Sequence, residues 1–210
     1  MTMFTFYWAP NTCALASHIA LEAAGASYQA VRVDFARQQQ RSAEYLRINP
    51  KGRVPALVTE RGILTETPAL LQFIAQTHPG ARLAPLDDAF ALAHMNAFNS
   101  YLCSTVHVAH SHRMRGSRWA DDPAALEAMK RKVPQSVGEC FELIEREFLA
   151  GPWVLGEHYS VSDMYLFTLA QWLEADGVDP ARLPKVSAHR QRMRADPVVA
   201  RVLAAEAVPA

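Results

Sequence analysis

The sequence predicts an α/β N-terminal domain followed by an all-α C-terminal domain. Strand and helix patterns alternate over residues 1–80, whereas the spacing of apolar residues is helical throughout residues 89–210. A stretch at residues 81–88 that contains a proline and two aspartates separates the two patterns and is typical of a linker. A chain of 210 residues is long enough to bury a core in each part.

The N-terminal part orders its elements as β-α-β followed by β-β-α. Strands are predicted at residues 4–8, 28–33, 56–58 and 63–64, and helices at residues 14–24, at residues 42–47 and from Pro68 onward. A β-α-β unit requires parallel strands and a right-handed crossover. Thr67 as N-cap and Pro68 as first helical residue are a strong helix start. This order predicts a thioredoxin-like domain.

The C-terminal part is predicted to be a series of helices. Their expected positions are residues 90–112, 121–149, 164–173, 185–195 and 198–207. Pro134 lies inside the second of these, where a proline removes a hydrogen bond and clashes with the preceding turn, so we expect a kink or a break there. Ser160 and Asp163 have the spacing of a capping box ahead of the third helix.

The composition excludes several classes of protein. Half of the residues are hydrophobic and 20% are charged, as in globular proteins. Lys plus Arg and Asp plus Glu each number 21, so no net charge favours binding to nucleic acid or to an anionic membrane. The sequence starts without a basic region, and no apolar run approaches the ~20 residues of a membrane span, so we expect a cytoplasmic protein. Three widely spaced cysteines predict reduced thiols.

The most distinctive stretch, residues 49–57, has the sequence NPKGRVPAL. Pro55 precedes a short strand. It has no N–H group to donate to the sheet, and its ring pushes Val54 into an extended conformation. Val54 can then present its backbone polar groups at a surface. The tight-turn context favours a cis Val54–Pro55 bond, while an ordinary loop with trans prolines is the alternative that this stretch alone leaves open.

Cys13 is the residue whose position most strongly indicates chemistry. It follows a strand and a Pro-Asn-Thr turn and immediately precedes a helix. The dipole and the N–H groups at a helix N-terminus favour a thiolate, which is the reactive form of cysteine. The alternative is a small buried apolar residue, because cysteine is among the most buried residue types.

Three stretches in this order resemble the glutathione transferases, most closely the bacterial beta class. They are PNTCALASH at residues 10–18, the loop at residues 49–57 and LTETP at residues 64–68. In that family the first stretch carries the active-site cysteine, the second is a cis-proline loop and the third binds glutathione. The resemblance covers nearly the whole chain and implies the glutathione transferase fold. The capping box and the apolar helix after it also resemble a folding motif of the family's C-terminal domain.

The resemblance implies a glutathione site in the N-terminal domain. The backbone of Val54 would pair with the cysteinyl part of the tripeptide like an added strand. Glu66 and Thr67 would hold the γ-glutamyl group at the start of a helix. Gln38 stands where the family often has a lysine for the glycyl carboxylate, and Arg37 beside it is the alternative contact.

The resemblance also implies roles for the first long helix of the C-terminal part. The sequence SYLCSTVH at residues 100–107 resembles the beta-class helix whose histidine faces the active-site cysteine. Cys13 would contact the sulfur of glutathione and can form a mixed disulfide with it, and His107 would polarise the sulfur or an interposed water. Ser100 stands where the family often has an asparagine that reaches the glutathione of the partner subunit, and Ser104 lies one turn further on.

Two other features bear on the chemistry. Trp8 departs from the family pattern, which frequently has a tyrosine at that spacing before the cysteine, and strand alternation directs Tyr7 to the opposite face. We therefore expect no activating tyrosine hydroxyl. His107 and His110 share a helical face, but His112 turns away and no acidic residue or cysteine completes a site, so we expect no metal.

The sequence therefore predicts a cytosolic, homodimeric glutathione transferase that uses glutathione as co-substrate and conjugates it to a small hydrophobic electrophile. The expected reaction is attack by the glutathione thiolate near Cys13. One alternative is a glutathione-dependent thiol-disulfide oxidoreductase, peroxidase or lyase in which Cys13 acts covalently. Another is a non-catalytic member of the fold that binds ligands or other proteins. The sequence does not indicate the electrophile.

Overall fold

A computed structural model describes residues 3–207 of the chain. Residues 1, 2 and 208–210, which include the outer limits of both predicted domains, lie outside the described residues. The described chain divides into two compact units. One comprises the residues as far as Leu92 together with those from Arg194 onward, and the other comprises Ala93–Met193. The predicted functional domains at 1–80 and 89–210, with a linker at 81–88, stay predictions.

The described residues form one sheet and a succession of helices. The strands are β1 (Phe4–Trp8), β2 (Tyr28–Arg32), β3 (Ala56–Thr59) and β4 (Gly62–Thr65). The helices are α1 (Ala14–Ala23), α2 (Ala43–Ile48), α3 (Thr67–Thr77), α4 (Ala89–Tyr101), α5 (His107–Arg115), α6 (Pro123–Leu143), α7 (Val161–Ala170), α8 (Pro184–Ala195) and α9 (Pro197–Ala207). The predicted fold class, an α/β part followed by a helical part, is confirmed.

The sheet has the strand order β2-β1-β3-β4. β1 and β2 are parallel and joined through α1, whereas β3 is antiparallel to both β1 and β4. In this register Ala56, the first residue of β3, lies opposite Tyr7 of β1 and Thr65 of β4. The carboxyl ends of β1 and β4 therefore meet the amino end of β3 at one edge of the sheet. This is the thioredoxin-like arrangement that the sequence predicts.

The core of the first unit lies between the sheet and the helices α1 and α3, which pack against each other. Its fully buried side chains include Phe6, Ile19, Leu57, Leu70, Leu71 and Ile74. The last helix, α9, also packs on α1. Nδ1 of His18 on α1 lies 2.8 Å from Oε1 of Glu206 on α9, and both side chains are buried. A buried polar pair therefore connects the start of the chain with the end of its described part.

The start of α3 differs from the prediction. The sequence predicts Thr67 as N-cap, but Glu66 occupies that position with φ 76° and ψ 123°, and Thr67 is the first helical residue. The physical reason is the left-handed backbone of Glu66, which turns the chain out of β4 one residue earlier than the pattern suggests. Pro68 is consequently the second helical residue, a position where its missing N–H costs nothing because that group has no intrahelical acceptor.

The second unit also departs from two predictions about its long helices. The helix expected over residues 90–112 contains a π-helical segment, Leu102–Val106, between α4 and α5. A second π-helical segment, Ile144–Phe148, follows α6. Of the kink or break expected at Pro134, the break is wrong, because α6 runs continuously through the proline, and the kink stays a prediction. Buried side chains on both sides of the proline, Val133 and Val137, hold the helix in place although one hydrogen bond is lost.

The start of α7 matches the predicted capping box. The Asp163 carboxylate accepts a hydrogen bond from the Ser160 backbone at 2.8 Å, and the Ser160 hydroxyl accepts one from the backbone of Ser162 at 3.3 Å. Oδ1 of Asp163 also accepts from the backbone of Val154 at 2.8 Å. Because the cap fixes the first helical residue, α7 begins at Val161 and not at the predicted residue 164. Every residue of α7 is buried, which makes it the central helix of the second unit.

Candidate functional site

A short turn delivers Cys13 to the start of α1. The hydroxyl of Thr12 donates to the carbonyl of Ala9 at 2.7 Å and accepts from the backbone of Ala14 at 3.3 Å, and Asn11 has a left-handed φ of 56°. These contacts fix the turn between β1 and α1. Cys13 occupies the N-cap position of α1 and is half-buried.

The sulfur of Cys13 faces the loop before β3. Its thiol donates to the carbonyl oxygen of Val54, with 3.7 Å between sulfur and oxygen. This contact requires the protonated thiol, because a thiolate has no hydrogen to donate. The dipole of α1 favours the opposite, anionic form. The hydrogen bond to Val54 therefore favours the thiol form of Cys13, whereas the dipole of α1 favours the thiolate form.

The loop at residues 49–57 is held rigidly in front of β3. The Arg53 carbonyl accepts hydrogen bonds from the Asn49 side chain at 2.6 Å and from the Tyr45 hydroxyl at 2.7 Å. The Val54–Pro55 bond is cis, as the sequence predicts. The ladders of β3 begin at Ala56, so the backbone of Val54 lies outside them. Its side chain is buried, which fixes the orientation of that backbone.

Glu66 and Thr67 lie at the same edge of the sheet. Because Thr65 pairs with Ala56, the residues that follow Thr65 lie beside those that precede Ala56. The half-exposed carboxylate of Glu66 forms an ion pair with Lys51, whose ammonium group also donates to the Thr65 hydroxyl at 2.7 Å. The edge thus presents a carboxylate, an ammonium group and the N-terminus of α3, where Thr67 is buried.

Gln38 lies in the segment between β2 and α2. It has a left-handed φ of 55°, its side chain is exposed, and its carbonyl accepts from the backbone of Arg41 at 2.8 Å. The neighbouring Arg37 lies with Nε 3.6 Å from a carboxylate oxygen of Asp34. The role of Gln38 or Arg37 in holding a carboxylate stays a prediction.

His107 belongs to the second unit, at the point where the first π-helical segment passes into α5. Its ring centroid lies 5.3 Å from that of Trp172 and 6.2 Å from that of His110. Segments of π-helix inside α-helices often occur at functional sites. Ser100 and Ser104 are both exposed on the preceding turns. The contact of His107 with Cys13 and the roles of the two serines stay predictions.

A polar cluster next to His107 was not predicted from the sequence. Nδ1 of His110 lies 2.7 Å from a carboxylate oxygen of Asp176, and Nε of Arg113 lies 3.0 Å from the other oxygen. The ring of His110 stacks on Trp172 with 4.1 Å between centroids. Asp176 is almost fully buried, and its contacts with His110 and Arg113 fix its position. The i, i+3 spacing of His110 and Arg113 is visible in the sequence, but nothing local connects them with Asp176.

The aromatic side chains of β1 alternate between its two faces as the sequence predicts. Trp8 is buried, and its ring lies 5.6 Å from that of His18. Tyr7 instead has its ring 5.7 Å from that of Tyr45. Burial raises the pKa of Tyr45 above its ordinary value. The pattern of alternating faces predicted for β1 therefore holds, and it directs Tyr7 toward α2.

The described residues lack two features that would indicate other kinds of function. Among residues 3–207, no group of three or more His, Cys, Asp or Glu side chains is arranged to hold a metal ion. In the same part of the chain, no helix combines the length and the apolar character that crossing a membrane requires.

Family models and curated proteins that resemble this chain all point to the same family. Residues 1–76 match the family described as glutathione S-transferase, N-terminal domain, and residues 117–192 match glutathione S-transferase, C-terminal domain. Among curated proteins, the chain is similar to the glutathione S-transferase GstA of Escherichia coli O157:H7, with 29% identity over 95% of this chain and 97% of that protein.

Solved structures show the same similarity. A glutathione transferase homolog from Sulfitobacter with bound glutathione is 47% identical, covers 99% of this chain and 100% of its own, and has a TM-score of 0.95. The bacterial beta class glutathione S-transferase of Sphingomonas chungbukensis is 32% identical, over 98% of this chain and 100% of its own, with a TM-score of 0.85.

Proposed function

The chain belongs to the glutathione transferase family and is a glutathione transferase, and we propose that it transfers the glutathione thiol to a small hydrophobic electrophile. The observation that carries this proposal is the edge of the sheet where Cys13, Val54, Glu66 and Thr67 come together. Each part of the tripeptide has a complementary group there. Cys13 contacts the thiol, Val54 pairs with the peptide backbone, and the start of α3 binds the γ-glutamyl group.

The glutathione contacts follow from the chemistry of these groups. The backbone of Val54, outside the ladders of β3, pairs with the cysteinyl unit in the manner of strand addition. The Glu66 carboxylate takes the γ-glutamyl ammonium group, and the N-terminus of α3 at Thr67 takes the γ-glutamyl carboxylate. Lys51 already neutralises Glu66 and thereby keeps the carboxylate in place before the ammonium group arrives.

The reaction needs a thiolate and an electrophilic carbon. Glutathione gives up its thiol proton to solvent water, and its sulfur forms a bond to that carbon. The leaving group departs with its electron pair, or, at a conjugated double bond, the neighbouring carbon takes up a proton. The dipole of α1 and the side chain of Cys13 stabilise the sulfur, and His107 polarises it or a water beside it.

The proposal extends to assembly and location. The protein acts as a cytoplasmic homodimer in which Ser100 and Ser104 contribute to the glutathione site of the partner subunit. Glutathione is its co-substrate, and the reaction proceeds without a metal. The resemblance of residues 100–107 to the beta-class helix supports the roles of Ser100 and Ser104 in a homodimer.

A panel of assays with glutathione tests the function. The substrates are an aryl halide, an α,β-unsaturated carbonyl compound, a hydroperoxide and a mixed disulfide. We expect turnover of at least one of the first two substrates, and His107→Asn should lower kcat roughly 10- to 100-fold with little change in the KM for glutathione. Tight ligand binding without turnover of any substrate would instead indicate a non-catalytic protein.

The second candidate function is glutathione-dependent thiol-disulfide exchange. The half-buried Cys13 thiol at a helix N-terminus favours it, because a cysteine in that position can attack a disulfide. Turnover confined to the mixed disulfide and the hydroperoxide, and abolished by Cys13→Ala, would support this function in place of conjugation.

A further inference from the structure

A buried carboxylate holds the ring of His110 on α5. Nδ1 of His110 lies 2.7 Å from one oxygen of Asp176 and 2.9 Å from the other. The Asp176 side chain is only 2% exposed, whereas that of His110 is 18% exposed. Because an ionised carboxylate can only accept hydrogen bonds, Nδ1 is the nitrogen that carries a proton and donates. The contact therefore fixes the position of the ring and places a proton on its inner nitrogen.

The carboxylate of Asp176 is itself held from two sides. Nε of Arg113 lies 3.0 Å from Oδ1 of Asp176, and Nη1 of Arg113 donates to the carbonyl of Ala175 at 3.0 Å. A buried carboxylate without a positive charge nearby would be costly. The backbone N–H of Asp176 donates to the carbonyl of Trp172 at 2.9 Å, as in one turn of a helix. The segment after α7 therefore presents Asp176 and Trp172 together.

Trp172 connects His110 with His107. The ring of His110 stacks on the indole with 4.1 Å between centroids and 21° between planes. The ring of His107 lies 5.3 Å from the same indole, inclined by 53°, and 6.2 Å from the ring of His110. Aromatic rings in contact have preferred relative orientations. The two neighbouring rings therefore restrict the orientations that the imidazole of His107 can adopt.

The burial of these side chains favours a role in function. His107, His110 and Trp172 are half-buried, so they contribute less to stability than core residues do. A buried ion pair is weak evidence for stability, because the cost of desolvation offsets the attraction. Side chains that react are held in orientation by packing and by hydrogen bonds from residues around them. A buried carboxylate behind two half-buried imidazoles fits that arrangement.

We propose that Asp176 and His110 are positioning residues for His107. Through Trp172 they hold its imidazole in the orientation in which it polarises the sulfur of glutathione or a water beside it. This inference rests on the proposed function, in which His107 has that role. Neither Asp176 nor His110 takes part in the glutathione contacts proposed above. Their replacement should therefore change the rate of the reaction and not the affinity for glutathione.

Steady-state kinetics with glutathione and either the aryl halide or the α,β-unsaturated carbonyl compound tests this inference. Asp176→Asn keeps the size of the side chain but removes the charge that strengthens its bond to His110. We expect kcat to fall roughly tenfold, as for the loss of one hydrogen bond, with little change in the KM for glutathione. His110→Phe keeps a ring against Trp172 but cannot donate, so it should lower kcat by a similar factor.

Combination with His107→Asn separates positioning from a purely structural role. If Asp176 acts through His107, its replacement has no further effect once the imidazole is absent. The double variant His107→Asn with Asp176→Asn should therefore have a kcat within about twofold of that of His107→Asn. A structural role for Asp176 would instead lower kcat by the same factor in both backgrounds.

The matched control is Asp179→Asn. Asp179 is exposed and caps a short 3-10 turn, so its replacement removes the same charge from the same part of the chain. Asparagine is an equally good N-cap, and kcat should stay unchanged. Circular dichroism and thermal unfolding would verify that each variant is folded. If Asp176→Asn does not fold, His110→Phe, alone and combined with His107→Asn, decides the question.

The possible failures are distinguishable. If the wild-type protein turns over neither electrophile, or if His107→Asn leaves kcat unchanged, the proposed function or its assignment of His107 is wrong, and this inference falls with it. If His107→Asn lowers kcat but Asp176→Asn and His110→Phe do not, the function stands and the positioning role is wrong. Equal losses from Asp176→Asn with and without His107 would also overturn the positioning role.

Discussion

The thiol of Cys13 donates to the carbonyl oxygen of Val54, 41 residues further along the chain, across a sulfur–oxygen distance of 3.7 Å. The contact joins the turn after β1 to the cis-proline loop before β3. Both segments lie at the edge where Glu66 and the start of α3 also lie. A cysteine sulfur at a helix N-terminus and a backbone segment outside the β3 ladders therefore occur side by side in one folded unit.

The first prediction concerns adducts at Cys13. Incubation with glutathione disulfide should add one glutathionyl group, because the Cys13 thiolate attacks the disulfide and releases one glutathione. Intact-protein mass spectrometry should detect the adduct in the wild-type protein and in Cys140→Ala but not in Cys13→Ala. An adduct of equal yield in folded Cys13→Ala would show that the reactive cysteine lies elsewhere.

The second prediction concerns Cys140 on α6. Burial raises the pKa of its thiol, an effect that the nearby Tyr101 hydroxyl partly offsets. In the native protein at neutral pH, maleimide should modify Cys140 at least about tenfold more slowly than Cys13, because the thiolate is the nucleophile. Peptide mapping after timed labelling measures both rates, and labelling in denaturant provides the control. Equal rates in the native state would contradict the assigned burial.

The third prediction concerns the cap of α7. Asp163→Ala leaves the buried N–H groups of Ser160 and Val154 without acceptors, so it should lower the free energy of unfolding by about 3 kcal/mol or more. Ser160→Ala should cost about 1 kcal/mol. Urea titration measures both changes.

Asp179 provides the matched control for this prediction. It is the N-cap of a short exposed 3-10 turn at Pro180–Arg182, where its carboxylate accepts from the backbone of Ala181 at 3.0 Å. Because water can replace this bond, Asp179→Ala should cost less than about 1 kcal/mol. If Asp163→Ala and Asp179→Ala lowered the free energy of unfolding by similar amounts, burial would not determine how much a cap contributes to stability.

The fourth prediction concerns stability at high pH. Burial, with smaller contributions from Glu22 and Glu206, raises the pKa of Tyr28 from 10.0 to about 12. A group whose pKa is raised by folding contributes stability that is complete below its unfolded pKa and is lost as the pH rises toward the folded value. The urea midpoint should therefore fall between pH 10 and pH 12.

Burial also raises the pKa values of Tyr45 and Tyr101, which adds to this dependence. Tyr28→Phe removes one titrating group and should reduce the slope of the urea midpoint against pH in that window. A urea midpoint that does not change between pH 10 and pH 12 in the wild-type protein would contradict the raised tyrosine pKa values.

The features that the sequence predicts correctly are those with a local signal. The cis bond at Pro55 and the capping box of Ser160 and Asp163 each depend on residues within a few positions of one another. The parallel direction of β1 and β2 follows from the β-α-β pattern. Local chemistry and topology together suffice to bring Cys13 and Val54 to one edge of the sheet.

The features that the sequence does not predict depend on distant partners or on competition between forces. His110 meets Asp176 across 66 positions, and His18 meets Glu206 across 188. Such distant pairs leave no periodic pattern in the sequence from which they could be predicted. Pro134 is a local helix breaker, yet tertiary packing on both sides of it keeps α6 continuous.

Isothermal titration of glutathione into the wild-type protein and into Glu66→Ala tests the central claim most directly, since the account depends on a glutathione site at this edge of the sheet. The wild-type protein should bind one glutathione per chain, and Glu66→Ala should bind roughly 10- to 100-fold more weakly because the ammonium group of the ligand loses its carboxylate. Glu44→Gln, which alters an exposed carboxylate in the first turn of α2, should bind like the wild type. Absence of saturable binding to the folded wild-type protein, or equal affinity in Glu66→Ala, would contradict the account.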